Sequence, residues 1–144
     1  MNGQMDRQRF NILLVEDNEA DVYLVRKAMQ MAQLEFDLTV IHSGVEALRY
    51  IDGVSRKAIP LPDIALLDLN IPTNSGIEVL AALRATRALA RIPVIVVTSS
   101  SSQVDRARTE ALNISKYIIK PAELAEFAAV GADIKAILLA DEPS

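Results

Sequence analysis

No cysteine occurs in the 144 residues, so disulfides and thiolate chemistry are excluded, and a reducing compartment is allowed. Tryptophan is missing too, and aromatic residues make up only 4%. The core must therefore be aliphatic, built from Leu, Ile, Val and Ala. Basic charge is in deficit: 15 Lys and Arg against 19 Asp and Glu leave −4. Nucleic-acid binding would need a basic patch or stripe, and the balance gives it no support. No apolar run approaches the roughly 20 residues needed to span a bilayer. The polar stretch from Met1 to Arg9 lacks the apolar core of a signal sequence. The expectation is a cytoplasmic protein with neither nucleic-acid nor membrane partners.

What is present is an ordinary globular composition, 51% hydrophobic and 24% charged, in a length that suits one domain. The expected division is a tail over 1–9, a core over 10–140 and a second tail over 141–144. Four short apolar runs each end on polar residues. Ile12-Leu13-Leu14-Val15 precedes Glu16-Asp17, and Ile64-Ala65-Leu66-Leu67 precedes Asp68. Val94-Ile95-Val96-Val97 precedes Thr98, and Tyr117-Ile118-Ile119 precedes Lys120-Pro121. Runs of this length, rich in Val, Ile and Leu, read as strands buried on both faces. Parallel sheets bind ligands at the carboxyl ends of their strands. Three carboxylates gathered there repel one another unless something cationic joins them. A hard divalent cation such as Mg²⁺ and the Lys120 ammonium are the natural partners.

Strand and helix alternate along the chain. Strands are expected over 10–15, 36–41, 63–68, 92–98 and 116–119. Helices are expected from 18 or 19 to about 31, 44–52, 77–89, 103–112 and 122–139. Val22, Val25, Met29 and Ala32 form an inward stripe on the first helix. Val45, Leu48 and Ile51 do so on the second, with Ser43 as its cap and Gly53 as its stop. Ile77, Leu80 and Leu83 point inward from the third. Asn113 suits a left-handed cap after the fourth. On the last helix Leu124, Phe127, Gly131, Ile134 and Leu138 face the sheet. Val130, Ile137 and Leu139 are left over there, as exposed aliphatics or as part of a dimer surface. The fold class is α/β: a doubly wound five-stranded parallel sheet of (βα)5 type in the flavodoxin-like order 2-1-3-4-5. That order brings Glu16, Asp17 and Asp68 into one crevice, with Thr98 and Lys120 to one side. The only histidine, His42, follows the second strand and reads as structural, away from the crevice.

These residues resemble the receiver domains of two-component response regulators, from Phe10 to about Leu139. The motifs are Leu14-Val15-Glu16-Asp17-Asn18, Leu66-Leu67-Asp68-Leu69-Asn70-Ile71-Pro72, Gly76, Val97-Thr98-Ser99 and Tyr117-Ile118-Ile119-Lys120-Pro121. Each alone is weak; together, in this order and spacing, they are strong. Residues 16–24 and 70–76 look closest to single-domain receivers that partner phytochrome-type histidine kinases.

The resemblance implies a stand-alone phosphoacceptor of signalling and not an enzyme acting on free substrates. Asp68 would be the nucleophile that forms an acyl phosphate. Glu16, Asp17, Asp68 and the Asn70 backbone carbonyl would hold Mg²⁺. Glu16 stands where Asp is commoner. Thr98, Ser99 and Lys120 would contact the phosphoryl group, Lys120 by neutralising its charge. Thr98 and Tyr117 would form a switch, with the ring turning inward as Thr98 moves to the phosphate. The Lys120-Pro121 step fits the family's cis peptide. Asn70 and Ser100 occupy positions that tune phosphate lifetime. The implied partners are a sensor histidine kinase, a downstream protein or phosphotransfer protein, and a second copy through the last two helices. Read without the resemblance, each residue has a plainer role. Asp68 suits a strand-end or N-cap aspartate, and Glu16-Asp17 would compensate a helix dipole. Thr98 would end a strand, Lys120 would be solvated and Tyr117 half-buried.

Three other functions fit less well. A Mg²⁺-dependent aspartyl phosphohydrolase usually carries a second aspartate two residues past the nucleophile, where Asn70 stands here. An interaction module that has lost phosphorylation would have lost an acidic residue, the Thr or the Lys. A flavin site would meet repulsion from Glu16-Asp17 where its phosphate should lie.

Overall fold

The structure, a computed structural model, describes residues 8–140. Five strands alternate with five helices: β1 (Arg9–Val15), α1 (Glu19–Met31), β2 (Glu35–Ile41), α2 (Gly44–Ser55), β3 (Ile64–Leu67), α3 (Gly76–Ala85), β4 (Val94–Thr98), α4 (Gln103–Glu110), β5 (Lys116–Ile119) and α5 (Leu124–Ala140). All pairings are parallel and the order is β2-β1-β3-β4-β5, as expected.

Alternate residues of the central strands feed two aliphatic layers. Ile12, Leu14, Ile64, Leu66, Ile95 and Val97 meet α1 and α5. Leu13, Val15, Ala65, Leu67 and Val94 meet α2 and α3 on the opposite face. A smaller cluster of Leu69, Val96 and Tyr117 closes the carboxyl end near β5.

Several expectations need correction. Arg9 belongs to β1, not to a tail: its backbone is in register with Glu35, and its guanidinium is held by Asp37 at 2.9 Å. Residues 1–7 and 141–144 of the expected tails lie outside the described residues. Gly53 does not stop α2, which runs on to Ser55, and the Ile59 side chain fills the space beside Gly53. The buried face of α2 is Ala47, Tyr50, Ile51 and Val54, so Val45 points outward instead. The third helix ends early at Ala85, followed by a 3₁₀ turn over Arg87–Leu89. Thr86 causes the break: its hydroxyl takes the Ala82 carbonyl at 2.8 Å and its backbone turns extended. Leu124 is exposed, whereas Val130 is buried against α1. There Gly131 lets the two backbones approach: a Cβ on it would sit 2.1 Å from the Ala28 carbonyl oxygen. Lys120–Pro121 is trans, since the described residues contain no cis peptide. Asn113 adopts the expected left-handed conformation, with φ 61°.

Candidate functional site: an acidic crevice closed by one lysine

Three backbone hydrogen bonds carry the sheet one residue beyond its strands. Glu16 N–H donates to Ile41 O (2.9 Å), Asp68 N–H to Val15 O (3.0 Å) and Lys120 N–H to Thr98 O (2.8 Å). The register thereby fixes Glu16, Asp68 and Lys120 at the same end of neighbouring strands. Glu16 and Asp68 are almost fully buried, at 2% and 4% exposure, while Asp17 is open to solvent. One oxygen each from Glu16, Asp17 and Asp68 lie within 4.8 Å of one another. Three hard oxygen donors at that separation suit a small divalent cation.

The Lys120 ammonium reaches Glu16 Oε1 at 2.9 Å, Asp21 Oδ2 at 2.7 Å and Asp68 Oδ2 at 2.8 Å. Burial pulls this ammonium down, but hydrogen bonds to Asp21, Asp68 and Glu16 outweigh that and hold it above the ordinary lysine value. Burial pushes the Glu16 carboxyl up to about 7, with the nearby Asp68 charge adding to it; Lys120 and the Asn18 amide pull the other way. The Asn18 N–H donates to Glu16 Oε2 (3.1 Å), and the Asn70 N–H to Asp68 Oδ1 (3.1 Å).

The loop after β3 walls the crevice. The Gly76 N–H donates to Leu69 O, and a Cβ on Gly76 would stand 2.3 Å from the Asp68 carbonyl oxygen. Only glycine allows α3 to begin this close to Asp68. Thr73 holds the loop's far side, with φ 71° and its Oγ1 accepting from the Val45 N–H at 2.9 Å. A β-branched residue in that region costs about 1–3 kcal/mol, which the tether to α2 must offset.

On the opposite wall, Thr98 is fully buried and its Oγ1 accepts from the Ser100 N–H (3.3 Å); no hydrogen bond joins it to Asp68. Tyr117 is buried with its ring inward. Its hydroxyl donates to Ser100 O (2.8 Å), and the Arg106 guanidinium lies over the ring at 5.3 Å. Ser99 is exposed at the mouth.

Residues 12–130 match the family described as Response regulator receiver domain. The chain belongs to that family. It is 34% identical over 114 residues, 78% of each chain, to "Response regulator Rcp1" of Synechocystis sp. (strain ATCC 27184 / PCC 6803 / Kazusa). The structure of the phosphorylated cyanobacterial phytochrome response regulator RcpA superposes with a TM-score of 0.83 at 32% identity, covering 94% of this chain and 98% of that one. The Mn²⁺-bound form of response regulator Rcp1 does so at 0.81 and 30% identity, covering 93% and 97%.

This receiver domain contains a crevice residue that reading strand ends did not supply. Asp21 sits in the first turn of α1 and joins the crevice from the side, through Lys120. His42 has Nδ1 3.2 Å from the Glu16 backbone carbonyl oxygen, a contact in keeping with the structural role expected of it. The one available signal for Asp21 was its position at the start of a helix that follows Glu16-Asp17. No helix among the described residues is long and apolar enough to cross a membrane.

Proposed function

We propose that Asp68 accepts a phosphoryl group from a sensor histidine kinase. The observation that carries this is the buried Asp68 carboxylate, held at one oxygen by the Asn70 amide and at the other by Lys120, beside two further carboxylates. One Asp68 oxygen attacks the phosphorus of a phosphohistidine. The P–N bond breaks as the P–O bond forms, the imidazole leaves with the bonding pair, and an acyl phosphate remains. Lys120 stabilises charge on the transferring group, and Ser99 and Thr98 line its other side. Glu16, Asp17, Asp68 and the Asn70 carbonyl would hold Mg²⁺, which when bound offsets negative charge on the phosphoryl oxygens. The Mn²⁺-bound form of the relative Rcp1 supports a divalent cation in a domain of this kind.

Thr98 accepts from the Ser100 amide, which leaves its own O–H free to donate to a phosphoryl oxygen. Ser100 also holds Tyr117 through its carbonyl. The two ends of the switch thus share one residue, and phosphorylation would alter the surface formed by α4 and β5. A phytochrome-type kinase is the partner that the relative RcpA, a phytochrome response regulator, favours. The reaction would take place in the cytoplasm. The output would pass by contact with a downstream protein or by transfer to a phosphotransfer protein. Asn70 argues against a phosphohydrolase, because a carboxamide cannot serve as the general acid.

Intact mass after incubation with acetyl phosphate tests this. A gain of one phosphoryl group that needs Mg²⁺ and is lost in Asp68→Asn is expected. No adduct with the donor unconsumed would overturn the assignment.

A further inference from the structure

Lys120 has three N–H donors, and all three are occupied by carboxylates. An arriving phosphoryl oxygen can be bonded only if one of the three lets go. The carboxylates differ in their other commitments. Glu16 and Asp68 belong to the trio whose oxygens converge on one point. Asp68 is also the atom group that is modified. Asp21 lies outside that trio, comes from α1 and not from a strand end, and makes the shortest of the three contacts.

Its backbone is fixed independently, because the Asp21 N–H donates to the Asn18 side chain at the helix cap (3.1 Å). Asp21 can thus keep its place while the other two exchange partners. Lys120 itself follows the short edge strand β5 and is tied by its N–H to Thr98 O. Its long side chain has no other lateral restraint among the described polar contacts.

We infer that Asp21 is a positioning residue for phosphoryl transfer, anchoring the Lys120 ammonium in the crevice while Glu16 and Asp68 change partners. The inference rests on the phosphoacceptor reading. Asp21 touches neither the acceptor nor the donor and acts through Lys120 alone. A hydrogen-bonded cation already in place needs no reorganisation as charge develops.

The test is a double-mutant cycle on the first-order rate of label uptake from acetyl phosphate with saturating Mg²⁺. Asp21→Ala should slow uptake at least about tenfold, towards the roughly hundredfold that a 1 Å misplacement of a catalytic group can cost. Asp21→Glu should restore most of the rate. In a Lys120→Ala background, Asp21→Ala should change nothing further, which a merely structural role would not produce. An unchanged or faster rate in Asp21→Ala, or equal slowing in both backgrounds, overturns the inference.

A second readout needs neither donor nor metal. In ¹H–¹⁵N spectra the Lys120 ammonium should give a slowly exchanging correlation in the wild type and in Asp21→Glu, and none in Asp21→Ala. Persistence of that signal in Asp21→Ala overturns the anchoring, and it decides the matter where Lys120→Ala takes up too little label. If the wild type takes up no label at all, the phosphoacceptor reading fails while the spectra still judge the anchor.

Discussion

Glu16 carries the clearest pH signature of any single residue here. Its carboxyl is pushed up to about 7 in the folded protein from an ordinary value near 4.5. The folded state therefore binds its proton more tightly than the unfolded chain does. The resulting stability is fully present below the unfolded value and is lost as pH rises through about 7. Without metal, the wild type should lose stability relative to Glu16→Gln between pH 5 and pH 8, by roughly 3 kcal/mol at the upper end. Urea titrations in chelator at both pH values measure this; parallel behaviour of the two proteins would refute it. At this scale the convergence of Glu16, Asp17, Asp68 and Lys120 was legible, because they follow apolar runs and the sheet register sends them to one end. Asp21 was not. It enters from a helix start, where position depends on how one layer packs over another.

Elements were legible where a local rule acts alone. The buried strands announce themselves as short aliphatic runs, and Ser43 caps α2 through a side-chain bond to the third residue on. Helix ends failed where a distant contact decides them. Gly53 stays helical because Ile59 returns to cover it. The third helix stops at Thr86, and the Arg84 guanidinium gathers carbonyls from the turn that follows and from the α4–β5 loop: Ile92 at 2.8 Å, Leu112 at 2.8 Å and Asn113 at 3.0 Å. The α1–α5 seam yields a prediction with two opposing terms. Gly131→Ala should gain about 1 kcal/mol of helix propensity. The added methyl would overlap the Ala28 carbonyl and force the helices apart, a cost of roughly 1–3 kcal/mol for overpacking and more where backbone must move. We expect net destabilisation of about 2 kcal/mol, read as a lower denaturation midpoint with an unchanged slope; a raised midpoint would show that the seam has room.

At the scale of the whole molecule, the order of strands was legible from the demand that the polar strand ends converge. What covers the outer surface was not. Val104 on α4, Ile119 on β5 and Leu124 on α5 are 66%, 49% and 43% exposed. They lie on the last two helices, where a second copy is expected to dock, and on the strand between them. Single exposed aliphatics are ordinary, but three on consecutive elements fit an interface. Sedimentation should show a dimer that Ile119→Glu converts to monomer; a wild type that is monomeric at every concentration removes the proposal.

The single lysine among the crevice carboxylates has a consequence for salt. With Glu16 ionised, four carboxylates (Glu16, Asp17, Asp21 and Asp68) against one ammonium leave three negative charges at the mouth of the site. A divalent cation reduces that to one. A small anionic donor therefore approaches against a repulsive field, which mobile ions weaken over a Debye length of about 8 Å at physiological ionic strength. Uptake of label from acetyl phosphate should speed up as potassium chloride is raised towards that strength. A protein donor that brings its own complementary surface can escape this penalty, so the field itself would favour a docked kinase over the free metabolite.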